Sequence, residues 1–207
     1  IVPVDGGETD VEVCFEGMVP RPAGTPPKTL IREWRQQDNH WILRYLGNEG
    51  HVLEFLFDLD GKRIRIRQSY PEWQNSIFVL LMPALAASLH LQGRPILHAT
   101  SLVRDSESFL LTGLNGAGKS SFAAALVAEG LALHADDIGA FTVENNHPVV
   151  QAGYPRLKIT NRTAVALGWD MNSLKTIFFT DPEYEEKWLD LSSLKGGCYD
   201  SPASLRA

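Results

Sequence analysis

The chain has 207 residues, of which 44% are hydrophobic and 21% charged, with a formal net charge of −6 at pH 7. This composition is typical of a globular protein and excludes a chain that is disordered or of low complexity over most of its length. The acidic balance argues against a general nucleic-acid binder, and the longest apolar run, residues 77–87, is too short to span a bilayer.

The two cysteines, Cys14 and Cys198, lie near opposite ends of the sequence and form no CxxC or Cys/His cluster. This spacing argues against a structural zinc site. One disulfide and two free thiols both fit the count, and two thiols in a reducing compartment is the simpler interpretation. Since no charged-then-apolar signal segment opens the sequence, we expect a cytoplasmic protein that binds neither membrane nor nucleic acid.

Residues 1–74 predict a small, antiparallel, β-rich N-terminal region. Alternating segments are separated by turn residues, among them the dipeptide Asp60-Gly61. Arg63, Arg65 and Arg67 fall on one face of the last segment, where a solvated sheet face is favoured over a track for an acidic peptide. The predicted strands are 29–34, 41–46, 52–57 and 62–67, in the order of a meander.

Residues 75–207 alternate helical and strand patterns, which predicts an α/β domain with a mixed sheet. A helix is expected at 75–92, with Ser76 as its N-cap and Pro83 inside. Beyond it, the sequence predicts strands at 96–103 and 109–112, a helix at 119–129, a strand at 131–135, a hairpin of 138–143 with 149–151, short helices at 161–167 and 181–189, and a loose tail after 196.

The strongest chemical signal lies between the strand at 109–112 and the helix at 119–129. It fits G-x-x-x-x-G-K-[ST] in full. Glycines let backbone amides turn inward around an anion at a helix N-terminus. Lys119 can then reach the β- and γ-phosphates of ATP, and the Ser120 hydroxyl can ligate Mg²⁺. The pattern predicts a P-loop for ATP and Mg²⁺ whose nucleotide-binding residues are Gly113, Leu114, Asn115, Gly116, Ala117, Gly118, Lys119, Ser120 and Ser121.

Two adjacent carboxylates, Asp136 and Asp137, end the next predicted strand. A strand–helix–strand connection of this length predicts that this strand is the right-handed parallel neighbour of the strand before the loop. The carboxylates would then arrive beside Ser120 at the carboxyl edge of the sheet, where a Mg²⁺–nucleotide site needs them. One of the pair can hold Mg²⁺ while the other takes the proton of an attacking hydroxyl.

His98 is the third candidate, because the expected hairpin brings it near the loop. If Val103 faces Phe109 across the turn, His98 lies opposite Leu114. Its imidazole can then hydrogen-bond Asp136 or a phosphate oxygen.

Three further basic side chains have less specific interpretations. Arg156 and Lys158 follow the predicted hairpin and fit either a contact near the γ-phosphate or ordinary surface charge. His134 shares a strand face with Asp136, but a structural role is favoured for it, as for most lone histidines in a core.

In their order and approximate spacing, His98 within the stretch ILHA, the loop 113–120 and the pair Asp136-Asp137 resemble the catalytic domain of HPr kinase/phosphorylase. The resemblance covers residues 75–160 and implies a P-loop-containing domain that phosphorylates a serine on a carrier protein. It also implies that Asp136 is the catalytic base with His98 as its partner, and that Lys119 assists transfer. Asp137 and Ser120 would bind the metal.

The resemblance is incomplete. Ser121 stands where the family usually has an acidic residue, and residues 154–158 occupy the area of the Gly-rich segment associated with phosphorylase activity. The small N-terminal region and the stretch GYPRLK resemble more closely the shorter HPr-kinase-like proteins, among them kinases of lasso-peptide precursors. That branch implies a peptide or small-protein substrate with a serine, and a homo-oligomer because related kinases assemble.

We therefore expect an ATP- and Mg²⁺-dependent serine kinase. Two alternatives are a P-loop ATPase that drives a partner, and a degenerate nucleotide-binding sensor without phosphotransfer to protein. The acids follow the loop within one helix and no LSGGQ-like segment is present, which disfavours an ABC-type ATPase. Intact Lys119, Ser120 and Asp136 disfavour the sensor.

Overall fold

A computed structural model describes residues 11–25, 31–47, 50–69, 74–153, 156–170, 172, 174–176, 186–191 and 197–206. For residues 74–81, 175–176 and 186–190 it describes the backbone alone. The architecture is mixed α/β and rich in strands, with two mixed sheets. The chain divides into two compact units, residues 1–93 and residues 94–207.

The first unit is built on a five-stranded sheet in the order β1-β5-β4-β3-β2. The four strands from β2 to β5 form the predicted antiparallel meander. The first strand differs from the expectation of a purely antiparallel region, because β1 pairs with β5 in parallel. The bounds are β1 Glu12–Met18, β2 Ile31–Gln37, β3 His40–Leu46, β4 Val52–Asp58 and β5 Arg63–Gln68.

The core of this unit lies between one face of the sheet and helix α1, Gln74–Leu91. Alternate side chains of the middle strands are fully buried there, as the period of two requires. Because α1 packs on this core, the division between the units falls after Gly93 rather than near residue 74. Ser76 lies inside α1 rather than before it. The buried residues include Leu43, Phe55, Phe57, Ile64, Ile66 and Ala84.

The opposite face carries the three arginines of β5, and each has an acidic partner within the chain. Arg63 pairs with Glu12 at 2.8 Å, and Arg65 pairs with Asp58 at 3.1 Å. Arg67 pairs with Glu16. The arrangement agrees with a solvated sheet face.

The second unit contains a seven-stranded mixed sheet in the order β6-β10-β11-β15-β8-β7-β9, and a three-stranded sheet in the order β12-β14-β13. Helix α2, Lys119–Ala128, packs on the larger sheet. The strands are β6 Ile96–Leu97, β7 Ala99–Arg104, β8 Glu107–Thr112, β9 Ala132–Ala135, β10 Gly139–Glu144, β11 His147–Val150, β12 Arg156–Thr160, β13 Lys175–Thr176, β14 Glu186–Asp190 and β15 Ala203–Leu205; the third helix is α3, Asn161–Ala166.

The expected strand at 96–103 is divided at His98 into β6 and β7, which pair with different strands. The register of the β7–β8 hairpin is one residue away from the expectation, because Val103 faces Ser108 and not Phe109. The cause is the turn, which consists only of Asp105 and Ser106, both with positive φ.

The expected neighbour relation between β8 and β9 is wrong. The two strands run parallel, but β7 lies between them and pairs with each in antiparallel fashion. Their carboxyl ends therefore meet at the amino end of β7. This order still brings the loop after β8, the carboxylates after β9 and His98 to one edge of the sheet.

Two predictions for the last third of the chain are also wrong. Residues 186–189 belong to β14 rather than to a helix, and residues 181–185 lie outside the described residues. The tail contains β15, which lies between β11 and β8. The 139–150 hairpin and α3 confirm their predictions, and Cys14 is in no disulfide. Within the described part of the chain, no helix is both long and apolar enough to cross a membrane.

Candidate functional site

The glycine-rich loop, residues 113–118, connects β8 to α2. Gly116 and Gly118 have φ values of 77° and 88°, a region that strongly favours glycine. Gly118 occupies the N-cap of α2, and no side chain caps the helix there. The first amides of the helix are therefore available to an anion, whose charge the helix dipole also favours.

Lys119 closes over the loop. Its Nζ donates to the carbonyl oxygens of Gly113 at 3.1 Å and Leu114 at 3.3 Å. An ammonium group binds phosphate oxygens more strongly than neutral carbonyls, because such hydrogen bonds join opposite charges. The two hydrogen bonds to the loop carbonyls hold the Lys119 side chain beside the loop amides, where it could exchange them for bonds to phosphate.

Asp136 is buried, with 4% of the residue exposed, and accepts three hydrogen bonds. Its Oδ1 accepts from Thr100 Oγ1 at 2.7 Å and from Ser120 Oγ at 3.3 Å, and its Oδ2 accepts from the Lys158 amide at 3.0 Å. Burial raises the pKa of the Asp136 carboxyl, as does the neighbouring Asp137, while the hydrogen bonds from Thr100 and the Lys158 amide lower it. The carboxylate is fixed directly beside the first turn of α2.

Asp137 has a different environment and an unusual backbone. The amide of Ile138 donates to the carbonyl of Asp136 at 2.9 Å, which makes Asp137 the centre of a γ-turn with φ 67°. This conformation is strained for a residue with a side chain, and such residues cluster at functional sites. Its carboxylate pairs with the Lys158 ammonium, and His98 Nε2 lies 3.8 Å from Oδ1.

The structure therefore brings the expected residues together, but Asp136 and Asp137 have exchanged the partners expected for them. Ser120 touches Asp136, whereas the expectation joined Ser120 with Asp137. His98 faces Asp137, whereas the expectation joined it with Asp136. Ser121, expected among the nucleotide-binding residues, shares a hydrogen bond of 2.8 Å with the Thr163 hydroxyl of α3.

Sequence reasoning missed Thr100 and left Lys158 open. Thr100 is 1% exposed and lies two residues after His98, so the expected strand at 96–103 places both on one face and could have identified it. Lys158 contacts both carboxylates, one through its amide and one through its ammonium. No local pattern reveals this contact, because it depends on the packing of β12 beside β9.

His134 belongs to a separate structural network, as expected. Since a carbonyl can only accept, the Nε2 of His134 donates to the Ser201 carbonyl at 2.9 Å, and its Nδ1 accepts from the Ser108 hydroxyl at 3.0 Å. Burial lowers the pKa of the imidazole, which favours this neutral form. The side chain joins β9 to β8 and to the segment before β15.

Comparison with known proteins adds little to this geometry. No protein-family model matches the chain, and no curated protein matches it by sequence. Among solved structures, the HPr(Ser) kinase/phosphatase from Coxiella burnetii is similar over 54% of this chain and 56% of that chain, with 22% sequence identity and a TM-score of 0.34. The match thus spans little more than half of that protein, and at this score it carries no argument.

Proposed function

We propose that the chain is an ATP- and Mg²⁺-dependent kinase that transfers the γ-phosphoryl group to a serine hydroxyl of a peptide or small protein. The observation that carries the proposal is the contact between Ser120 and Asp136, with Oγ and Oδ1 3.3 Å apart. It joins a glycine-rich loop at a helix N-terminus to a carboxylate at a strand end, and a second carboxylate follows at once. This combination suits phosphoryl transfer.

The oxygen donors fit Mg²⁺. Among the described residues, no group of three or more His, Cys, Asp or Glu side chains could hold a metal ion. Mg²⁺ beside a nucleotide keeps waters and phosphate oxygens as ligands and takes only one or two from protein, so Ser120 and Asp136 are sufficient. The chemistry supplied by bound Mg²⁺ is neutralisation of the charge on the phosphate oxygens.

The loop and Lys119 would hold the triphosphate. The free amides at the start of α2 bind its oxygens, and the Lys119 ammonium moves its hydrogen bonds from the carbonyls of Gly113 and Leu114 to the β- and γ-phosphates. These groups act mainly by positioning and by stabilising charge.

We assign the proton acceptor to Asp137 rather than to Asp136. Asp136 is enclosed by donors, whereas 22% of the Asp137 side chain is exposed and an acceptor hydroxyl can reach it. The serine proton passes to Asp137 as the serine oxygen bonds to the γ-phosphorus and ADP leaves. Before the transfer, the Lys158 ammonium balances the charge of the Asp137 carboxylate, and His98 Nε2 lies 3.8 Å from its Oδ1.

A serine in a peptide or small protein is the favoured acceptor because of the motifs that resemble HPr-kinase-like proteins. Within that group, the short N-terminal region and the GYPRLK stretch favour a lasso-peptide-type precursor.

Incubation with labelled ATP, Mg²⁺ and candidate peptides tests the proposal. Label on a peptide serine supports it. Free phosphate alone would indicate the ATPase, and bound nucleotide without turnover would indicate the sensor; either result contradicts a kinase.

Two variants separate the roles of the carboxylates. Asp137→Asn should lower phosphotransfer at least about 100-fold, the usual scale of a general base, while nucleotide affinity stays unchanged. Asp136→Asn should weaken Mg²⁺-dependent nucleotide binding itself. Asp105→Asn, at an exposed turn in the same unit, is the matched control and should change neither quantity. Equal loss of binding in both site variants would contradict the assignment.

A further inference from the structure

Strand β2 forms a free edge of the five-stranded sheet. Within the described ranges it pairs only with β3, and all seven of its residues are exposed. Its register with β3 runs without interruption, whereas β1 at the other edge is irregular between Phe15 and Gly17. A long regular edge is a ready template for another strand unless something blocks it.

The outward hydrogen-bonding groups of β2 can be assigned from its neighbour. The Gly47 amide, directly after β3, donates to the His51 carbonyl at 2.8 Å, so the odd-numbered residues of β3, which alternate in step with Gly47, are those that bond to β4. The even-numbered residues of β3 therefore bond to β2, and their partners there are Ile31, Glu33, Arg35 and Gln37. The N–H and C=O groups that point away from the sheet are those of Arg32, Trp34 and Gln36.

These outward groups match a second copy of the same strand in antiparallel orientation. In a register centred on Trp34, Trp34 faces the partner's Trp34 and Arg32 faces the partner's Gln36. The hydrogen bonds between the two strands would then be made by the N–H and C=O groups that point away from each sheet. Glu33 then faces the partner's Arg35 in a non-hydrogen-bonded pair, where side chains approach most closely. Since the arrangement is two-fold symmetric, this ion pair forms twice.

The side chains at the edge suit this partner. Trp34 is 48% exposed and stacks on Phe57, with ring centroids 5.7 Å apart, so the partner's Trp34 would extend an existing aromatic contact and cover exposed apolar surface. Arg35 already donates to Glu54 at 3.2 Å, and its five donors can serve a second carboxylate as well.

We propose that β2 is a homodimer interface, at which two copies of the chain pair edge to edge and join their sheets into one ten-stranded sheet. An extended peptide of another protein is the competing occupant. The charge pattern favours the second copy, because Glu33 of each copy faces Arg35 of the other in the register that the backbone permits. The proposal is independent of the nucleotide site.

Two charge variants of the full chain test the interface by analytical ultracentrifugation. Glu33→Arg places arginine opposite arginine, and Arg35→Glu places glutamate opposite glutamate, so each should weaken self-association at least about tenfold. An equimolar mixture restores two opposite-charge pairs and should form a heterodimer. Glu12→Arg, which makes the same change on β1, is the control and should dimerise like the native chain.

Gln36→Pro gives an independent test. It removes one outward N–H without removing a bond to β3, because proline is tolerated where an edge N–H faces solvent. We expect a folded monomer, with circular dichroism as the check on folding. A native chain that stays monomeric at micromolar concentration, or dimers unaffected by the three β2 variants, would overturn the proposal, and so would a mixture without heterodimers.

Discussion

At the scale of single residues, Asp136 combines near-complete burial with three hydrogen-bond donors. Burial raises the pKa of this carboxyl above the value of about 4 that it has in an unfolded chain. Between these two values, the folded protein holds the proton more tightly than the unfolded chain does. The contribution of Asp136 to the free energy of unfolding therefore falls as the pH rises through this interval, and it is constant on either side.

Urea unfolding of the metal-free protein across pH measures this contribution. The native chain should lose stability relative to Asp136→Asn as the pH rises from about 4 towards neutrality. Asp105→Asn, whose side chain is exposed, should keep the native profile. Parallel profiles for the native chain and Asp136→Asn would contradict a raised pKa.

Gly153 packs against the end of β9, and its amide donates to the His134 carbonyl at 2.9 Å. A Cβ at this position would meet the Cβ of Ala135 and lie 3.2 Å from its Cα, so backbone would have to move. We expect Gly153→Ala to cost about 1–3 kcal/mol of unfolding free energy and to weaken nucleotide binding, because Asp136 follows Ala135 directly. Calorimetry and nucleotide titration measure the two effects.

The second substitution Ala135→Gly removes one of the two clashing methyl groups and should recover part of the loss. Native stability in Gly153→Ala alone would show that the contact is not tight.

At the scale of elements, the sequence predicted those features that depend on residues close together in the chain. The hairpin of β10 and β11 was predictable because Asn145 and Asn146 readily take the positive φ of a tight turn. The β7–β8 register differs from the expected one because its turn consists of Asp105 and Ser106 alone, whereas a pairing of Val103 with Phe109 needs a longer turn. The insertion of β7 between β8 and β9 depends on pairing between distant segments, and no pattern in either strand encodes it.

In the candidate site too, the parts set by neighbouring residues could be predicted, and the parts set by distant segments could not. The glycine-rich loop and its lysine are contiguous in sequence, so they could be predicted directly. Thr100 and Lys158 reach Asp136 from two other strands and meet only through the order of the sheet. The exchange of partners between Asp136 and Asp137 depends on the γ-turn, which sends adjacent side chains into different surroundings.

Strand β15 bonds to neighbours on both sides, through Ser204 opposite Val149 of β11 and Glu107 of β8. A proline at Ser204 removes an amide from this ladder, so Ser204→Pro should cost about 1–3 kcal/mol. Ser204→Ala keeps the amide and should remain near the native value. Hydrogen exchange should show lost protection in β8 and β11 for the proline variant only; full protection there would contradict a bridging role.

At the scale of the whole molecule, each unit has its own buried cluster, represented by Phe55 in the first and Leu102 in the second. Phe55→Ala should cost its unit about 3–5 kcal/mol, and Leu102→Ala about 2–5 kcal/mol, through lost burial and a cavity. We expect hydrogen exchange to accelerate in residues 1–93 for the first variant and in 94–207 for the second. Acceleration across the whole chain in both cases would contradict two separate cores.

The position of β15 in the sheet also affects the order in which the strands can pair during folding. Glu107 finds its parallel partner about a hundred residues further along the chain, which is a distant contact for a short strand. Until that segment arrives, β8 and β11 each present an incomplete edge, the kind of surface on which nascent chains aggregate. Strand β8 can pair with β7 as soon as both have been synthesised, but its other edge stays open until residues 203–205 follow.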